Sequence, residues 1–75
     1  MNAKVFDFKG LQCPLPIIKT AKAIKEIAVG DEIRVIVDDP AAKSDFDAWS
    51  KQTGNKIIEI TEKQGAVEFL LKRGP

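Results

Sequence analysis

The sequence predicts an α/β protein of the α+β two-layer sandwich type, with a four-stranded mixed sheet and two helices on one face. Four short segments have strand-like apolar patterns and two longer segments have helical periodicity, in the order βαβαββ. The first strand, helix and second strand form a right-handed parallel crossover, and the last two strands form an antiparallel hairpin. A chain of 75 residues has the length of one domain, so we expect a single domain over residues 1–75.

The first strand is predicted over residues 4–8, where alternation puts Phe6 and Phe8 on one face. The first helix is predicted over residues 14–28, and Gly30 suits the left-handed position after its end. The apolar stripe expected on this helix consists of Ile17, Ile18, Ala21, Ile24, Ile27 and Ala28.

The second strand is predicted over residues 32–38, which are β-branched and largely apolar. A second helix follows over residues 41–53, with Asp39 as its capping residue, Pro40 at its first position and Gly54 after its end. The side chains expected to face the sheet from this helix are Ala42, Phe46 and Trp49.

The hairpin is predicted from strands over residues 56–62 and 66–72, joined by a turn at 63–65. The side chains expected to turn inward are Ile58, Ile60, Val67, Phe69 and Leu71. Because the carboxyl ends of parallel strands meet at one edge of a sheet, we expect the loops over residues 7–13 and 38–40 to be neighbours.

The residue types that are absent from the sequence exclude several kinds of catalytic and metal site. It has one cysteine, no histidine and no tyrosine. An internal disulfide, a Cys/His zinc site and a Cys–His nucleophile pair are therefore excluded within one chain. Asp45 and Asp47 fall on different faces of their helix, and Asp39 is explained by capping. We expect no metal and no cofactor.

The net charge and the hydropathy of the chain limit the kinds of partner that it is expected to bind. The net charge of +1 argues against nucleic acid as a direct ligand. No apolar run approaches the roughly 18 residues that a membrane helix needs, so no membrane partner is expected. A free thiol and the lack of an apolar leader indicate a cytoplasmic protein.

The single cysteine stands at a predicted strand-to-helix junction. A helix start carries unpaired backbone N–H groups and a partial positive charge, which together favour a thiolate over a thiol. Cys13 is expected at the N-cap, with Leu15 supplying the main free N–H because its two neighbours are prolines. The alternative is a small buried cysteine at an ordinary helix start. The junction consists of Gly10, Leu11, Gln12, Cys13, Pro14, Leu15 and Pro16.

A longer pattern favours the reactive interpretation. It consists of Asp7, Gly10, Leu11, Cys13, Pro14 and Pro16. This spacing resembles the signature of the TusA-like (SirA-like) sulfur carrier family over nearly the whole chain, and the second predicted helix also begins in a way that resembles the family. The resemblance implies that the last strand lies between the second and third strands. It also implies a sulfur carrier that accepts a sulfane sulfur on Cys13 as a persulfide.

The resemblance implies two kinds of protein partner. One is a sulfur donor, a cysteine desulfurase or a rhodanese-like protein, and the other is a downstream acceptor in tRNA thiolation, sulfur oxidation or cofactor sulfuration. The chain itself is expected to be a sulfurtransferase-type carrier without independent turnover. Loop-shaping roles fall on Asp7, Gly10, Leu11, Pro14 and Pro16, and partner docking is assigned to Lys19, Lys22, Asp38 and Asp39.

Two other functions compete with sulfur transfer. A redox or regulatory interaction protein would use Cys13 in an intermolecular disulfide. A small RNA-binding module would use the basic residues of the first helix and the tail, although no aromatic residues are interleaved with them. For the lysines, a solvated helix face is the simpler interpretation.

Overall fold

Two helices pack on one side of a four-stranded mixed sheet in the computed structural model, which describes residues 4–12 and 14–75. The elements in chain order are β1 (Lys4–Asp7), α1 (Leu15–Lys25), β2 (Glu32–Val37), α2 (Ala42–Thr53), β3 (Lys56–Lys63) and β4 (Ala66–Lys72). The strand order is β1-β2-β4-β3, with β1 parallel to β2 and the other neighbours antiparallel. The predicted fold class is confirmed, and so is the position of the last strand that the family resemblance implied.

The core lies between the helices and the two central strands. Phe46 of α2 stacks on Phe69 of β4, with ring centroids 4.5 Å apart, and meets Trp49 edge-on at 5.9 Å. Phe6 and Phe8 pack against this core, so the predicted facing of the first strand is confirmed. The predicted inner face of α2 is confirmed as well. The fully buried side chains of the sheet are Ile33, Val35, Val37, Phe69 and Leu71.

Helix α1 is shorter than the prediction over residues 14–28, since it begins at Leu15 and ends at Lys25. The Glu26 N–H donates to the Ala23 carbonyl at 3.1 Å, which tightens the last turn and closes the helix. Gly30, at φ +93°, lies further on, in the turn that leads into β2. The predicted left-handed conformation of Gly30 is confirmed, but the helix has already ended at Lys25.

The buried face of α1 also differs from the predicted stripe. Ile18 is 46% exposed and Ala28 is exposed, so the prediction is wrong for both. Thr20 is fully buried in their place, and its hydroxyl has no hydrogen-bond partner among the described residues. The predicted stripe included apolar residues of the helix interior alone, whereas the helix also buries Pro16 and Thr20. The buried residues of α1 are Pro16, Thr20, Ala23 and Ile24.

Helix α2 begins at Ala42, one residue later than predicted, and ends at Thr53 as predicted, followed by Gly54 with φ +80°. Ala41 occupies the capping position, so the assignment of Asp39 as N-cap is wrong by two residues. The Asp39 carboxylate nevertheless accepts the Ala41 N–H at 2.9 Å, and its carbonyl accepts the Ala42 N–H at 3.0 Å. Asp39 therefore stabilises the turn that leads into the helix.

The edge strand β3 departs from strict alternation. The register against β4 skips Ile58 at a bulge between Ile57 and Glu59, and Ile57 packs against the core instead. Ile58 is 47% exposed and is skipped by the pairing, so the prediction that it turns inward is wrong. Ile60 pairs with Phe69 and therefore lies on the inner face as predicted, although it is 45% exposed on this edge strand. A bulge inserts one extra residue, so the residues after it face the side opposite to the one that strict alternation from the preceding residues predicts. The alternation of apolar residues in the sequence does not show where the bulge lies. The prediction for the inner face of β4 is confirmed: Val67 packs against the core, and Phe69 and Leu71 are buried in it.

The chain end ties the carboxyl termini of both helices together. The Arg73 guanidinium donates to the carbonyls of Lys25, at 3.2 Å, and Ile27. The Gly74 N–H donates to the side-chain oxygen of buried Asn55 at 2.8 Å. These contacts fix the end of the molecule opposite the start of α1. No helix in the described ranges has the length and apolar character needed to cross a bilayer.

Candidate functional site

The candidate site lies where the parallel strands β1 and β2 end. Cys13 lies outside the described residues, and the described residues on either side of it are Gln12 and Pro14. The Phe8 N–H donates to the Ile36 carbonyl at 2.8 Å, which extends the pairing of β1 with β2 beyond Asp7. The loop before Cys13 and the loop after β2 are neighbours, as parallel pairing predicted.

The loop before Cys13 is held by hydrogen bonds from four consecutive backbone N–H groups. After Phe8, the Lys9 N–H donates to the Asp7 carboxylate at 3.0 Å. The Gly10 N–H donates to the Asp38 carboxylate at 3.0 Å, and the Leu11 N–H donates to the Phe8 carbonyl at 3.2 Å. Gly10 has φ +87°, in the left-handed region that favours glycine. The chain therefore approaches Cys13 along a fixed path.

Helix α1 starts differently from the prediction. Pro14 occupies the capping position, with φ −100°, and the Ile18 N–H donates to its carbonyl at 3.1 Å. The Leu15 N–H donates to the Gln12 carbonyl at 2.8 Å. The expectation that Leu15 offers a free N–H is therefore wrong, because a local turn already uses this donor. The predicted N-cap, Cys13, lies outside the described residues.

Acidic residues are absent from the first turn of α1, so nothing in that turn offsets the positive end of the helix dipole. Pro16 is buried in the second position and carries no N–H. The two prolines therefore fix φ on both sides of Leu15. A helix end of this kind favours an anion placed before it.

A polar cleft lies beside the loop. It is lined by Gly10, Leu11, Gln12, Asp38, Asp39 and Pro40. Leu11 is half-buried on the wall of this cleft and is not among the described apolar side chains packed against the core. The two adjacent aspartates accept hydrogen bonds from different segments. The Asp38 carboxylate accepts the Gly10 N–H of the loop, and the Asp39 carboxylate accepts the Ala41 N–H of the turn before α2.

The solvent side of α1 forms a surface that we call the α1 ridge, made of Leu15, Ile18, Lys19 and Lys22. Leu15 is 45% exposed, and the lysines are exposed along the same stripe. Among the described residues, neither Lys19 nor Lys22 forms an ion pair. The ridge is therefore apolar near Cys13 and positively charged further along the helix.

A second apolar surface, which the sequence did not predict, runs between the helices. Pro14 and Ile17 form one wall of this groove, and Trp49 contributes to the other although it is almost fully buried. The remaining lining residues are Asp45, Ala48 and Gln52. Spacing of apolar residues within each helix gave no signal for it, because the groove depends on how the helices pack.

The acidic residues form no metal centre in the part of the chain that the structure describes. No group of three or more His, Cys, Asp or Glu side chains there is placed to hold a metal ion. Asp7 and Asp38 instead accept backbone hydrogen bonds from the loop, and Asp47 pairs with Lys51 at 3.1 Å.

Comparison with known proteins agrees with this architecture. The chain is 43% identical over 67 residues to the sulfur carrier protein TusA of Allochromatium vinosum, covering 89% of this chain and 88% of that protein. Its structure is similar to that of a SirA-like protein from Desulfitobacterium hafniense, with a TM-score of 0.81 and 27% identity over 95% of this chain and 97% of the other. The profile of the family described as sulfurtransferase TusA matches residues 4–73. The chain therefore belongs to the TusA family.

Proposed function

We propose that this chain is a sulfur carrier, which accepts a sulfane sulfur on Cys13 and passes it to an acceptor protein. The observation that carries this proposal is the position of Cys13 in the chain. The residue stands between a loop held by four consecutive N–H groups and a proline-stiffened helix start without acidic residues. The relative from Allochromatium vinosum is itself a sulfur carrier protein.

The transfer is a thiol exchange that needs no external oxidant. The Cys13 thiolate attacks the outer sulfur of a persulfide on the donor, a new S–S bond forms on Cys13, and the S–S bond of the donor breaks. The donor cysteine leaves as a thiolate, and the proton of the persulfide is retained or exchanged with water. In the second step a nucleophile of the acceptor attacks the same outer sulfur, and the Cys13 thiolate leaves.

The residues around Cys13 support this chemistry by holding an anion in a fixed place. Both the thiolate and the persulfide anion are negatively charged and are stabilised by the positive end of α1. The shaping residues are those that hold the loop and the helix start: Asp7, Gly10, Leu11, Pro14 and Pro16. They carry out no proton transfer, so the chain is a carrier that depends on its partners for turnover.

The proposed partners are proteins that dock beside Cys13. The donor is a cysteine desulfurase or a rhodanese-like protein, and the acceptor belongs to tRNA thiolation, sulfur oxidation or cofactor sulfuration. Lys19 and Lys22 of the α1 ridge suit an acidic surface, and the adjacent Leu15 and Ile18 supply apolar contact area. Because Cys13 must stay a free thiol to accept sulfur, the proposed location is the cytoplasm, where thiols are kept reduced.

The proposal is tested by intact mass measurement. The protein is incubated with a cysteine desulfurase and cysteine or, in a second reaction, with a persulfide-loaded rhodanese-like protein, and is then separated from the donor without reductant. We expect an added mass of one or more sulfur atoms, removed by dithiothreitol and absent from Cys13→Ser. If Cys13→Ser gains the same mass, or the wild type gains none from either donor class, the proposal is wrong.

A further inference from the structure

We propose that Asp38 is a positioning residue for sulfur transfer and acts by holding the loop that presents Cys13. This inference rests on the proposed carrier function and assigns a role in that function to a residue of the loop that follows β2. Asp38 is 25 residues from Cys13 along the chain, but its carboxylate oxygen is 3.0 Å from the Gly10 nitrogen, three residues before the cysteine.

The need for a side chain at this point follows from the backbone. Strand β1 pairs with β2 up to Asp7, and the Phe8 N–H still reaches a carbonyl of β2. At Gly10 the chain turns with φ +87°, away from strand geometry. The Asp38 carboxylate accepts this N–H where the sheet's own hydrogen bonds stop. This side-chain hydrogen bond connects the two loops.

The neighbouring aspartate provides an internal contrast. Asp39 has the same side chain one residue later, yet its carboxylate bonds to the Ala41 N–H within its own turn. Asp38 therefore connects two segments that are distant in the sequence, and the Ala41 contact of Asp39 stabilises the approach to α2. A substitution at position 39 removes an equal charge from the same cleft and leaves the Gly10 contact in place.

The physical role of Asp38 is the hydrogen bond and not its negative charge. A carboxylate near Cys13 disfavours a second anion there, so the charge alone would hinder the thiolate and the persulfide. An asparagine carbonyl accepts the same N–H without a charge. Asp38→Asn should therefore preserve the loop and the transfer rate. Asp38→Ala should loosen the loop and slow the transfer, since a small displacement of a reacting group lowers its rate.

The test compares Asp38→Ala, Asp38→Asn and Asp39→Ala in the full chain. Two quantities are measured: amide hydrogen exchange at Gly10 by NMR, and the single-turnover rate of Cys13 loading from a desulfurase persulfide. We expect Asp38→Ala to raise Gly10 exchange about tenfold and to slow loading about fivefold. Asp38→Asn should stay within about twofold of wild type in both measurements, and Asp39→Ala should leave Gly10 exchange unchanged.

Unchanged Gly10 exchange in Asp38→Ala would overturn the proposal, and so would an Asp38→Asn variant as slow as Asp38→Ala. Should the alanine variant fail to fold, Asp38→Glu takes its place, because the extra methylene displaces the oxygen while keeping the charge. Asp38→Glu must then be slower than Asp38→Asn, and equal rates would contradict the role. If wild type accepts no sulfur, the carrier function fails separately, and Gly10 exchange together with the rate of Cys13 alkylation by iodoacetamide still decides whether Asp38 positions the loop.

Discussion

The two helices begin with similar sequences and are stabilised in different ways. Each helix follows one of the two parallel strands, at the same edge of the sheet. Pro14 directly precedes α1, and Pro40 lies two residues before the start of α2. In the turn before α2, the Asp39 carboxylate accepts the Ala41 N–H. Within α2, Lys43 and Lys51 form ion pairs with Glu62 and Asp47. Neither N-cap residue, Pro14 of α1 or Ala41 of α2, makes a side-chain capping hydrogen bond. The described lysines on the solvent face of α1 form no ion pairs.

This difference separates a structural helix from one that serves the proposed site. Helix α2 inserts Phe46 and Trp49 into the core, whereas α1 buries mainly small side chains and leaves Leu15 and Ile18 to the solvent. One strand-to-helix junction is thus closed by its own side chains. The other leaves its helix dipole and its positive charge available to a thiolate and to a partner.

The largest expected effect is on the core side of α2. Phe46 is fully buried and contacts two aromatic rings, so Phe46→Ala should lower the free energy of unfolding by about 3–5 kcal/mol. Leu15→Ala on the α1 ridge should change it by less than about 0.5 kcal/mol. Urea unfolding followed by Trp49 fluorescence measures both, and similar losses in the two variants would contradict the contrast between the helices.

The next largest effect concerns the unpaired lysines. Reversing both charges of the α1 ridge, in Lys19→Glu with Lys22→Glu, should slow loading from a desulfurase about tenfold at low salt, because association with an acidic surface is steered by charge. The difference should shrink in high salt as the charges are screened. The matched control reverses Lys43 and Lys51 on α2, with the same change in net charge. Equal slowing by both double variants would mean that net charge acts, and not the ridge.

The smallest effect lies at the two helix starts themselves. Asp39→Ala removes the acceptor of the Ala41 N–H and should lower the free energy of unfolding by about 1 kcal/mol. Gln12→Ala, at the corresponding place before α1, should be close to neutral, because the contact there uses the Gln12 backbone carbonyl. Thermal unfolding of the two variants provides the comparison, and a Gln12→Ala loss as large as that of Asp39→Ala would argue for a side-chain cap on α1.

The sequence was sufficient for the order of the elements and for the meeting of the two loops. Both follow from periodicity and from the rule that parallel strands end at one edge. The buried side of α2 was also predictable, because large apolar residues mark it. These are features in which one physical effect, the burial of apolar area, dominates.

Features that depend on three-dimensional packing were not predictable. The bulge that skips Ile58 comes from pairing with β4, and the burial of Thr20 depends on which face of α1 packs against the rest of the molecule. The hydrogen bond from Gly10 to Asp38 joins residues 28 positions apart. The Leu15 N–H was expected to be free because the sequence does not show that the Gln12 carbonyl turns back to accept it.

The most direct test of the proposed carrier function is to locate the transferred sulfur. The protein is loaded from a persulfide donor, alkylated to preserve the persulfide, and digested with trypsin, which releases the peptide of residues 10–19. We predict one extra sulfur on this peptide, at Cys13, which disappears when the loaded protein is mixed with an acceptor before alkylation. Sulfur found elsewhere in the chain, or an unmodified peptide after the donor has been discharged, would contradict the account.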